Sequence, residues 1–378
     1  MSDTTETTLE EFIEEVAGQS HLRVEADLGD GFVRLKSDEA QRRQAIQDIR
    51  CVEDALVELL RNSRDAHATV IYVAVSKEET NREITVIDNG CGVPRSMRDM
   101  VFEPRVTSKL DTASIDKWGV HGRGMALYSI KYNAQEAYVV DSVMSGGTSI
   151  RCIFDTTKLK EKSDQSSFPQ FKKGEQSTVG VSGPRNILRN ACEFALEHRD
   201  SVSVYIGSPS EIAATLYDFG IKHIPFSSRC AEVNFDRINL RDRLAYCAEP
   251  TEFCSVAESI GLNLSGRTAT RIMNGEITPL VPLIDLVKAL LLQPTDFSSK
   301  KTFDVKDVAV HGKHARKKSI AIAHEDLESF KEQVAQAYRQ LADRYYLQRN
   351  SEVTVKNANG TLSISIELKD ADEEDFSD

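Results

Sequence analysis

Apolar residues between positions 39 and 66 recur at three- and four-residue spacing, which predicts an amphipathic helix. The recurring residues are Ile46, Ile49, Val52, Ala55, Leu56, Leu59 and Leu60. Glu58 and Asn62 are four residues apart, so they share one face of this helix, one turn apart. Asp65 lies a further turn along the chain. The helix is therefore predicted to carry a row of polar side chains beside its apolar face.

Two strands are predicted after this helix, at residues 70–75 and 83–88, with a polar turn between them. Asp88 ends the second strand, and the sequence NGCG at residues 89–92 turns the chain. Glycines in such a turn let the backbone approach a ligand closely. The stretch 105–124 is polar and contains glycine, and we predict that it is a mobile loop.

The rest of the chain alternates between helical and strand patterns, which indicates an α+β fold. Further strands are predicted at residues 136–141, 148–154, 201–206, 303–310, 351–357 and 361–368, and helices at 97–102, 125–132, 186–198 and 325–346. Residues 158–174 are polar, and we interpret them as a linker. The predicted domains are a flexible N-terminal arm at 1–38, a first domain at 39–175, a second α+β domain at 176–368 and an acidic tail at 369–378.

The composition is that of a soluble globular protein, because 40% of the residues are hydrophobic and 28% are charged. No run of about 18 apolar residues occurs, so no membrane-spanning helix and no membrane partner are expected. The first residues are acidic and polar, unlike a secretory signal, and we expect a cytoplasmic protein. The seven cysteines are scattered without a CxxC pair, which disfavours a zinc site or a disulfide framework.

The net charge of −12 does not favour general affinity for nucleic acids. The charge is uneven along the chain, however, because both termini are acidic while residues 311–318 (HGKHARKK) are basic. Such a basic run is usually a solvated face, and contact with phosphate is the alternative.

Five sequence blocks occur in a fixed order. They are CVEDALVELLRNSRDAHAT at 51–69, ITVIDNGCGV at 84–93, VFEPRVTSKL at 101–110, WGVHGRGMALYSI at 118–130 and SGGTSIRCIF at 145–154. Together they resemble the ATP-binding domain shared by DNA gyrase, the ninety-kilodalton heat-shock chaperone, sensor histidine kinases and MutL, the GHKL superfamily. Among these the N-terminal ATPase region of MutL is most similar. The resemblance implies a Bergerat-type ATP-binding α/β sandwich, followed by a transducer-like α+β domain, with ATP and Mg²⁺ as cofactors.

The resemblance also implies roles for individual residues. Glu58 would accept a proton from the attacking water, and Asn62 would bind Mg²⁺ through its amide oxygen. Asp88 would read the exocyclic amino group of adenine, with Thr148 beside it, and Asp65 matches the family's third polar position on the helix. The glycine boxes and the loop would supply further nucleotide contacts, namely Gly90, Gly92, Thr107, Ser108, Lys109, Gly119, Gly122, Arg123 and Gly124.

A second resemblance to MutL lies in the second domain, where residues 307–314 read DVAVHGKH. The corresponding MutL pattern, DVxVHPxKxE, would make Lys313 a catalytic lysine that reaches the γ-phosphate. This chain lacks the proline and is one residue shorter there. The sequence HGRGMAL at 121–127 also departs from MutL and is closer to the kinase and topoisomerase forms.

Residues 240–292 resemble the helix-turn-helix of Cro-type repressors. Ala257 lies four residues before Gly261, which would occupy the turn, and the following helix carries Arg267 and Arg271. Being four residues apart, these two arginines would face DNA together. The alternative is a helical segment of the second domain with no DNA contact.

Two hypotheses follow from these observations. In the first, the protein is a slow, Mg²⁺-dependent ATPase whose nucleotide state controls homodimerisation and engagement of DNA or a partner protein. In the second, it is a DNA-binding regulator that binds ATP as a ligand and hydrolyses little of it. Glu58 favours the first hypothesis and the repressor-like segment favours the second.

Overall fold

The computed structural model of the protein describes most of the chain between residues 24 and 366. The described residues are 24–108, 114–116, 119–121, 124–162, 164–173, 179–229, 234–291, 324–345, 348, 353–358 and 361–366. The chain divides into two compact units, at residues 1–309 and 310–378.

The first unit contains twelve described strands and nine described α-helices. The strands are β1 (Val24–Gly29), β2 (Phe32–Leu35), β3 (Val70–Glu78), β4 (Asn81–Asp88), β5 (Val106–Thr107), β6 (Ser114–Asp116), β7 (Gly119–His121), β8 (Glu136–Val143), β9 (Gly147–Asp155), β10 (Gln170–Lys173), β11 (Val179–Ser182) and β12 (Ser203–Gly207). The helices are α1 (Glu39–Asp48), α2 (Val52–Asp65), α3 (Ala126–Asn133), α4 (Ile187–Glu197), α5 (Pro209–His223), α6 (Phe226–Arg229), α7 (Pro250–Ser259), α8 (Gly266–Met273) and α9 (Leu283–Leu291). Short 3₁₀ helices occur at Arg95–Met97, Met100–Phe102, Phe235–Arg237 and Leu240–Tyr246.

A five-stranded sheet in the order β12-β3-β4-β9-β8 forms the centre of this unit. Its neighbouring strands are antiparallel, except that β12 runs parallel to β3. Successive side chains of a strand point to opposite faces of a sheet. On β3, Ile71 and Val73 therefore join one buried cluster while Tyr72 and Ala74 join another. Helices cover both faces of the sheet.

The first face is covered by α2, α3 and α4. Leu56, Leu59 and Leu60 on α2 are almost completely buried against Ile84 and Val86 of β4. Full burial of one such side chain contributes about 1.5–3 kcal/mol to the free energy of folding. Burial of the apolar side of α2 therefore accounts for the packing of this helix against the sheet. The polar side of α2 is thereby directed away from the core.

The second face is covered by α5, α7, α8 and the 3₁₀ helix Leu240–Tyr246. The turn between α7 and α8 contacts the sheet through hydrogen bonds. The Thr85 hydroxyl donates to the Gly261 carbonyl at 3.1 Å, and the Ser149 hydroxyl donates to the Ile260 carbonyl at 2.8 Å. Gly261 has φ +82°, and a Cβ there would lie 3.0 Å from a Thr85 methyl carbon. The turn requires glycine for both reasons.

Residues 24–35, which lie within the predicted N-terminal arm, form the hairpin β1–β2. Strand β2 also pairs with β5, with Val33 opposite Thr107. The hairpin is thus attached to β5, which lies at the beginning of the predicted loop at 105–124. Residues 1–23 lie outside the described part of the chain.

The stretch interpreted as a linker is fixed to the first unit where it is described. Glu53, which is fully buried on α2, accepts hydrogen bonds from the Lys162 backbone and the Gln165 side chain. Further on, β12 pairs with β3 in the central sheet. The domain boundary predicted near residue 176 therefore falls inside the first compact unit, because strands from both sides of it share one sheet.

The second unit contains helix α10 (His324–Tyr345) and the antiparallel strands β13 (Val353–Ala358) and β14 (Thr361–Ile366). The helix and the hairpin predicted from the sequence agree with these elements to within a few residues. The Tyr338 hydroxyl donates to the Gln348 carbonyl at 3.1 Å. Among the described helices of both units, none combines the length and the apolar composition that crossing a bilayer requires.

Candidate functional site

Glu58 lies on the polar side of α2, where its carboxylate forms an ion pair with Arg61. The Arg61 side chain is only 4% exposed, while that of Glu58 is 20% exposed. The pair spans three residues of one helix, so both side chains project from neighbouring turns. The carboxylate is therefore accessible on one side and held by a buried guanidinium on the other.

Asn62 follows Glu58 one turn later. Its amide nitrogen is buried and has no hydrogen-bond partner among the residues that the structure describes. A buried amide without a partner is costly, and a bound oxygen-rich group at this position would remove that cost. The amide nitrogen thus fits a site in which it donates to an oxygen atom, either of a phosphate or of a ligand bound to a metal ion.

Asp65 has a different environment from Glu58 and Asn62. Its carboxylate accepts from the Arg64 guanidinium at 2.7 and 2.9 Å. Arg64 also lies 3.2 Å from the ring nitrogen Nε2 of His198, just after α4. The structure therefore places Asp65 in an ion pair at the α4 side of α2, and its predicted contact with the nucleotide stays a prediction.

Asp88 ends β4 beneath α2 and is 5% exposed. The Ser63 hydroxyl donates to Oδ2 at 2.8 Å, and the backbone amides of Gly90 and Thr148 donate to Oδ1 at 2.8 and 3.3 Å. These donors fix the plane of the carboxylate, and they come from α2, the turn after β4 and β9. Three segments that are distant in sequence thus meet at one acceptor.

Thr148 is 5% exposed and lies beside Asp88 at the start of β9. Its hydroxyl is 3.0 Å from the hydroxyl of Ser142 on β8, which also accepts from the Val93 amide at 2.7 Å. Ser142 therefore fixes the orientation of the Thr148 side chain.

Sequence reasoning missed both Ser63 and Ser142. Ser63 follows the predicted Asn62, and the helical pattern places it on the buried side of α2, toward the end of β4. Ser142 is the register partner of Thr148 in the antiparallel pair β8–β9. Ser142 could be found only by knowing that β8 pairs with β9. The sequence predicted the two strands but not their pairing.

The glycines near Asp88 fit tightly against the chain itself. A Cβ at Gly147 would lie 1.9 Å from the Asp88 carbonyl oxygen, and a Cβ at Gly92 would lie 2.4 Å from that of Val143. A Cβ at Gly90 would lie 2.6 Å from the Ala66 carbonyl oxygen. Close backbone packing already requires glycine at Gly90 and Gly92, and their predicted contact with a nucleotide remains a separate prediction.

The predicted loop at 105–124 contains the short strands β5, β6 and β7, and a backbone hydrogen bond joins its two ends. The Arg105 amide donates to the Gly124 carbonyl at 2.8 Å, and Gly124 has φ +65°. Thr107 is buried in β5, Ser108 is exposed directly after it, and Gly119 begins β7, which pairs with β6. The predicted contacts Lys109, Gly122 and Arg123, and the predicted catalytic residue Lys313, lie outside the described residues.

A cavity of about 390 Å³ opens beside α2, toward the beginning of α4. Glu58 and Arg61 line it together with Asp54, Lys162 and Arg185. Lys162 lies 3.8 Å from the Asp54 carboxylate. The cavity adjoins the Glu58 carboxylate, whose role in a chemical step stays a prediction.

The predicted DNA-contacting arginines lie on the outer surface of α8. Ala269 and Ile272 are buried, whereas Arg267 and Arg271 are exposed, and Arg271 forms an ion pair with Glu276 at 3.2 Å. Over residues 249–276 four glutamates stand against two arginines, which gives a net charge of −2. The two-helix arrangement agrees with the prediction, and its contact with DNA stays a prediction.

The described buried cysteines are not suited to nucleophilic chemistry. Burial raises the pKa of the Cys152 and Cys192 thiols to about 12, so the reactive thiolate is scarce at neutral pH. Cys91, in contrast, is exposed in the turn that follows Asp88.

Comparison with known proteins connects this geometry to one family. Residues 49–177 match the family model described as Histidine kinase-, DNA gyrase B-, and HSP90-like ATPase. That stretch includes α2, the central strands β3, β4, β8 and β9, and all of the residues gathered around Asp88.

The chain is also similar to the DNA mismatch repair protein MutL of Neorickettsia sennetsu (strain ATCC VR-367 / Miyayama). The two are 36% identical over 100 residues, which cover 24% of this chain and 15% of that MutL. The similarity thus spans only a small part of the relative's length.

Proposed function

Residues 49–177 belong to the histidine kinase-, DNA gyrase B- and HSP90-like ATPase family, and we propose that in this protein they bind ATP with Mg²⁺ and hydrolyse it slowly. The nucleotide state would control homodimerisation and the engagement of DNA or a partner protein. The single observation that carries the proposal is the arrangement around Asp88, a buried carboxylate fixed by donors from three segments.

Asp88 would accept a hydrogen bond from the exocyclic amino group of adenine. Guanine carries an oxygen at the corresponding position, so this contact would select adenine. Thr148 lies close enough to contact the same edge of the base, and Ser142 holds its hydroxyl.

Asn62 and Glu58 would serve the phosphate end of the nucleotide. Asn62 would hold Mg²⁺ through its amide oxygen while its unpartnered amide nitrogen donates to a phosphate oxygen. Bound Mg²⁺ would neutralise charge on the phosphates. Glu58, one turn away, would accept the proton of the attacking water. A solvent-accessible carboxylate on a rigid helix suits that role.

Nucleotide-dependent dimerisation would use the connection between the N-terminal hairpin and the loop. Strand β2 pairs with β5, which lies at the beginning of the predicted loop at 105–124. When the loop closes over bound phosphate, the hairpin would move with it and present a new surface. A ligand shifts such an equilibrium only by its preference for the closed state, so ATP and ADP would differ in effect.

Regulation of DNA binding by ATP is a second candidate, favoured by the outward arginines of α8. Arg267 and Arg271 share one exposed face, as major-groove contacts require. The surrounding glutamates oppose phosphate binding, and we therefore place this function second. Measurement of duplex DNA binding at increasing salt concentrations would show whether this face contacts DNA.

The proposal is tested by steady-state hydrolysis together with sedimentation. Wild-type protein should turn over ATP slowly in the presence of Mg²⁺, and Glu58→Gln should lower turnover about 10²–10⁴-fold. A non-hydrolysable ATP analogue should favour the dimer relative to ADP. Equal turnover by wild type and Glu58→Gln would remove Glu58 from the reaction, and one oligomeric state with every nucleotide would contradict the switch.

A further inference from the structure

Arg61 is an unusual residue for the position it occupies. Its guanidinium carries a permanent charge, yet its side chain is 4% exposed within the first unit. Burial of an arginine is costly unless a carboxylate compensates for the lost hydration. The structure gives Arg61 an ion pair with Glu58, the carboxylate that the proposed function places at the chemical step.

The geometry of the pair restricts Glu58 more than it restricts Arg61. Leu60 and the rest of the apolar side of α2 pack around the helix, and the Arg61 side chain is fixed by its burial. The Glu58 carboxylate is partly exposed, so its polar contacts determine which rotamer it adopts. One carboxylate oxygen, Oε1, accepts from Arg61 Nη1, which selects the rotamer that borders the cavity.

Other charges around the cavity are arranged differently. Lys162 lies beside Asp54, and Glu193 accepts from Arg189 at 2.8 Å. The first pair joins α2 to the segment after β9, and the second lies within α4. Among the ion pairs of the described residues that line the cavity, the pair of Arg61 with Glu58 includes the proposed base.

We propose that Arg61 is a positioning residue that holds the Glu58 carboxylate in the orientation needed to accept a proton from water. The inference rests on the proposed function. In the step it supports, the water oxygen bonds to the terminal phosphorus while the water proton passes to Glu58. The bond from that phosphorus to the bridging oxygen breaks, and its electron pair leaves with ADP. Arg61 remains protonated throughout and touches neither water nor phosphate.

A purely structural ion pair would give different results from a positioning residue. Loss of a structural pair lowers stability and affects ATP binding and turnover together. Loss of a positioning residue lowers kcat while the affinity for ATP is retained, because adenine and phosphate contacts lie elsewhere. A positioning residue also has no effect once the group it positions has been removed.

The test compares Arg61→Met, Arg61→Lys, Glu58→Gln and the double variant Glu58→Gln with Arg61→Met. Arg82→Met is the matched control, because Arg82 is also a buried arginine in an ion pair, with Glu161, at the opposite end of β4 from Asp88. Each folded variant is measured for kcat, for KM and for ATP affinity by calorimetry. Thermal unfolding reports its stability.

We expect Arg61→Met to lower kcat about tenfold or more with ATP affinity nearly unchanged. Arg61→Lys should recover part of the rate, since an ammonium supplies the charge without the planar fork. Arg61→Met should cause no further loss in the Glu58→Gln background, and Arg82→Met should retain wild-type kcat.

Wild-type turnover in folded Arg61→Met would overturn the inference, as would an equal loss of turnover in the Glu58→Gln background. If Arg61→Met does not fold, Arg61→Lys decides, because full loss of kcat and of ATP affinity together would indicate a structural role. Absence of hydrolysis by the wild type would instead overturn the proposed function. The two failures are therefore distinguishable.

Discussion

The two faces of the central sheet use the same strands for different purposes. On β9, Thr148 contacts the surroundings of Asp88, while the next residue, Ser149, donates to the Ile260 carbonyl on the opposite face. On the α7–α8 face, the Thr85 and Ser149 hydroxyls donate to backbone carbonyls of the turn between the two helices. On the α2 face the buried Asn62 amide nitrogen has no partner among the described residues. This donor lies one turn from Glu58, which favours ligand binding on the α2 face.

The largest expected difference between the two faces is the change in stability caused by one Gly→Ala substitution on each face. Gly147→Ala would place a Cβ 1.9 Å from the Asp88 carbonyl oxygen, at a residue with φ +103°. We expect destabilisation of about 3 kcal/mol or more in urea unfolding. Gly266→Ala, at the start of α8, meets nothing within 4 Å and should be neutral or stabilise by about 0.5–1 kcal/mol. Similar losses for both variants would contradict the close packing at Gly147.

Glu58 should contribute to stability as well as to turnover. Glu58→Ala removes a carboxylate from a buried guanidinium, and a hydrogen bond to a charged group is worth about 1.5–3 kcal/mol. Glu58→Gln keeps an acceptor oxygen and should cost less. Urea unfolding of both variants measures the difference. Equal stability of wild type, Glu58→Ala and Glu58→Gln would show that the ion pair with Arg61 does not form.

Two serine substitutions should separate an effect on ATP binding from an effect on stability. Ser142→Ala removes the partner of the Thr148 hydroxyl and should weaken ATP binding by about 1 kcal/mol. Ser149→Ala leaves the Ile260 carbonyl without its donor, so it should lower stability by a similar amount while ATP affinity is unchanged. Calorimetry and urea unfolding of both variants provide the check. A weaker affinity for ATP in Ser149→Ala would mean that the two faces are coupled.

The reactivity of Cys91 tests where the nucleotide binds, with a smaller expected effect. Cys91 is exposed in the turn after Asp88, while Cys152 and Cys192 are buried. With maleimide at neutral pH, Cys91 should react readily, whereas the two buried thiols, with pKa values raised to about 12, should react slowly. ATP should slow the alkylation of Cys91, which peptide mass spectrometry measures site by site. Labelling that is insensitive to ATP would place the nucleotide away from the turn.

Much of the fold followed from local patterns. The α+β class and the resemblance to the ATPase family are confirmed, since the periodicity of α2 and the strand patterns of β3, β4, β8 and β9 are strong. The pairing of β12 with β3 could not be foreseen, because a parallel neighbour about 130 residues distant leaves no local pattern. The attachment of residues 158–167 through buried Glu53 was missed for the same reason.

The candidate site was predictable only where chemistry and spacing coincide. Glu58, Asn62, Asp88 and Thr148 were named because their motifs resemble those of the ATPase family, and their roles stay predictions. The ion pairs of Glu58 with Arg61 and of Asp65 with Arg64 depend on rotamers, which sequence does not specify. Ser63 and Ser142 became visible only when tertiary contacts placed them at Asp88 and Thr148.

Calorimetric titration of ATP into wild-type protein and Asp88→Asn tests the central claim most directly. The amide presents a donor where the adenine amino group needs an acceptor, so the variant should lose about 1–3 kcal/mol of binding free energy. Asp155→Asn is the matched control, because Asp155 also ends a strand but its side-chain contacts among the described residues are local, with Thr157 and Lys158. The account predicts weakened binding for Asp88→Asn and unchanged binding for Asp155→Asn. Wild-type affinity in folded Asp88→Asn would contradict it.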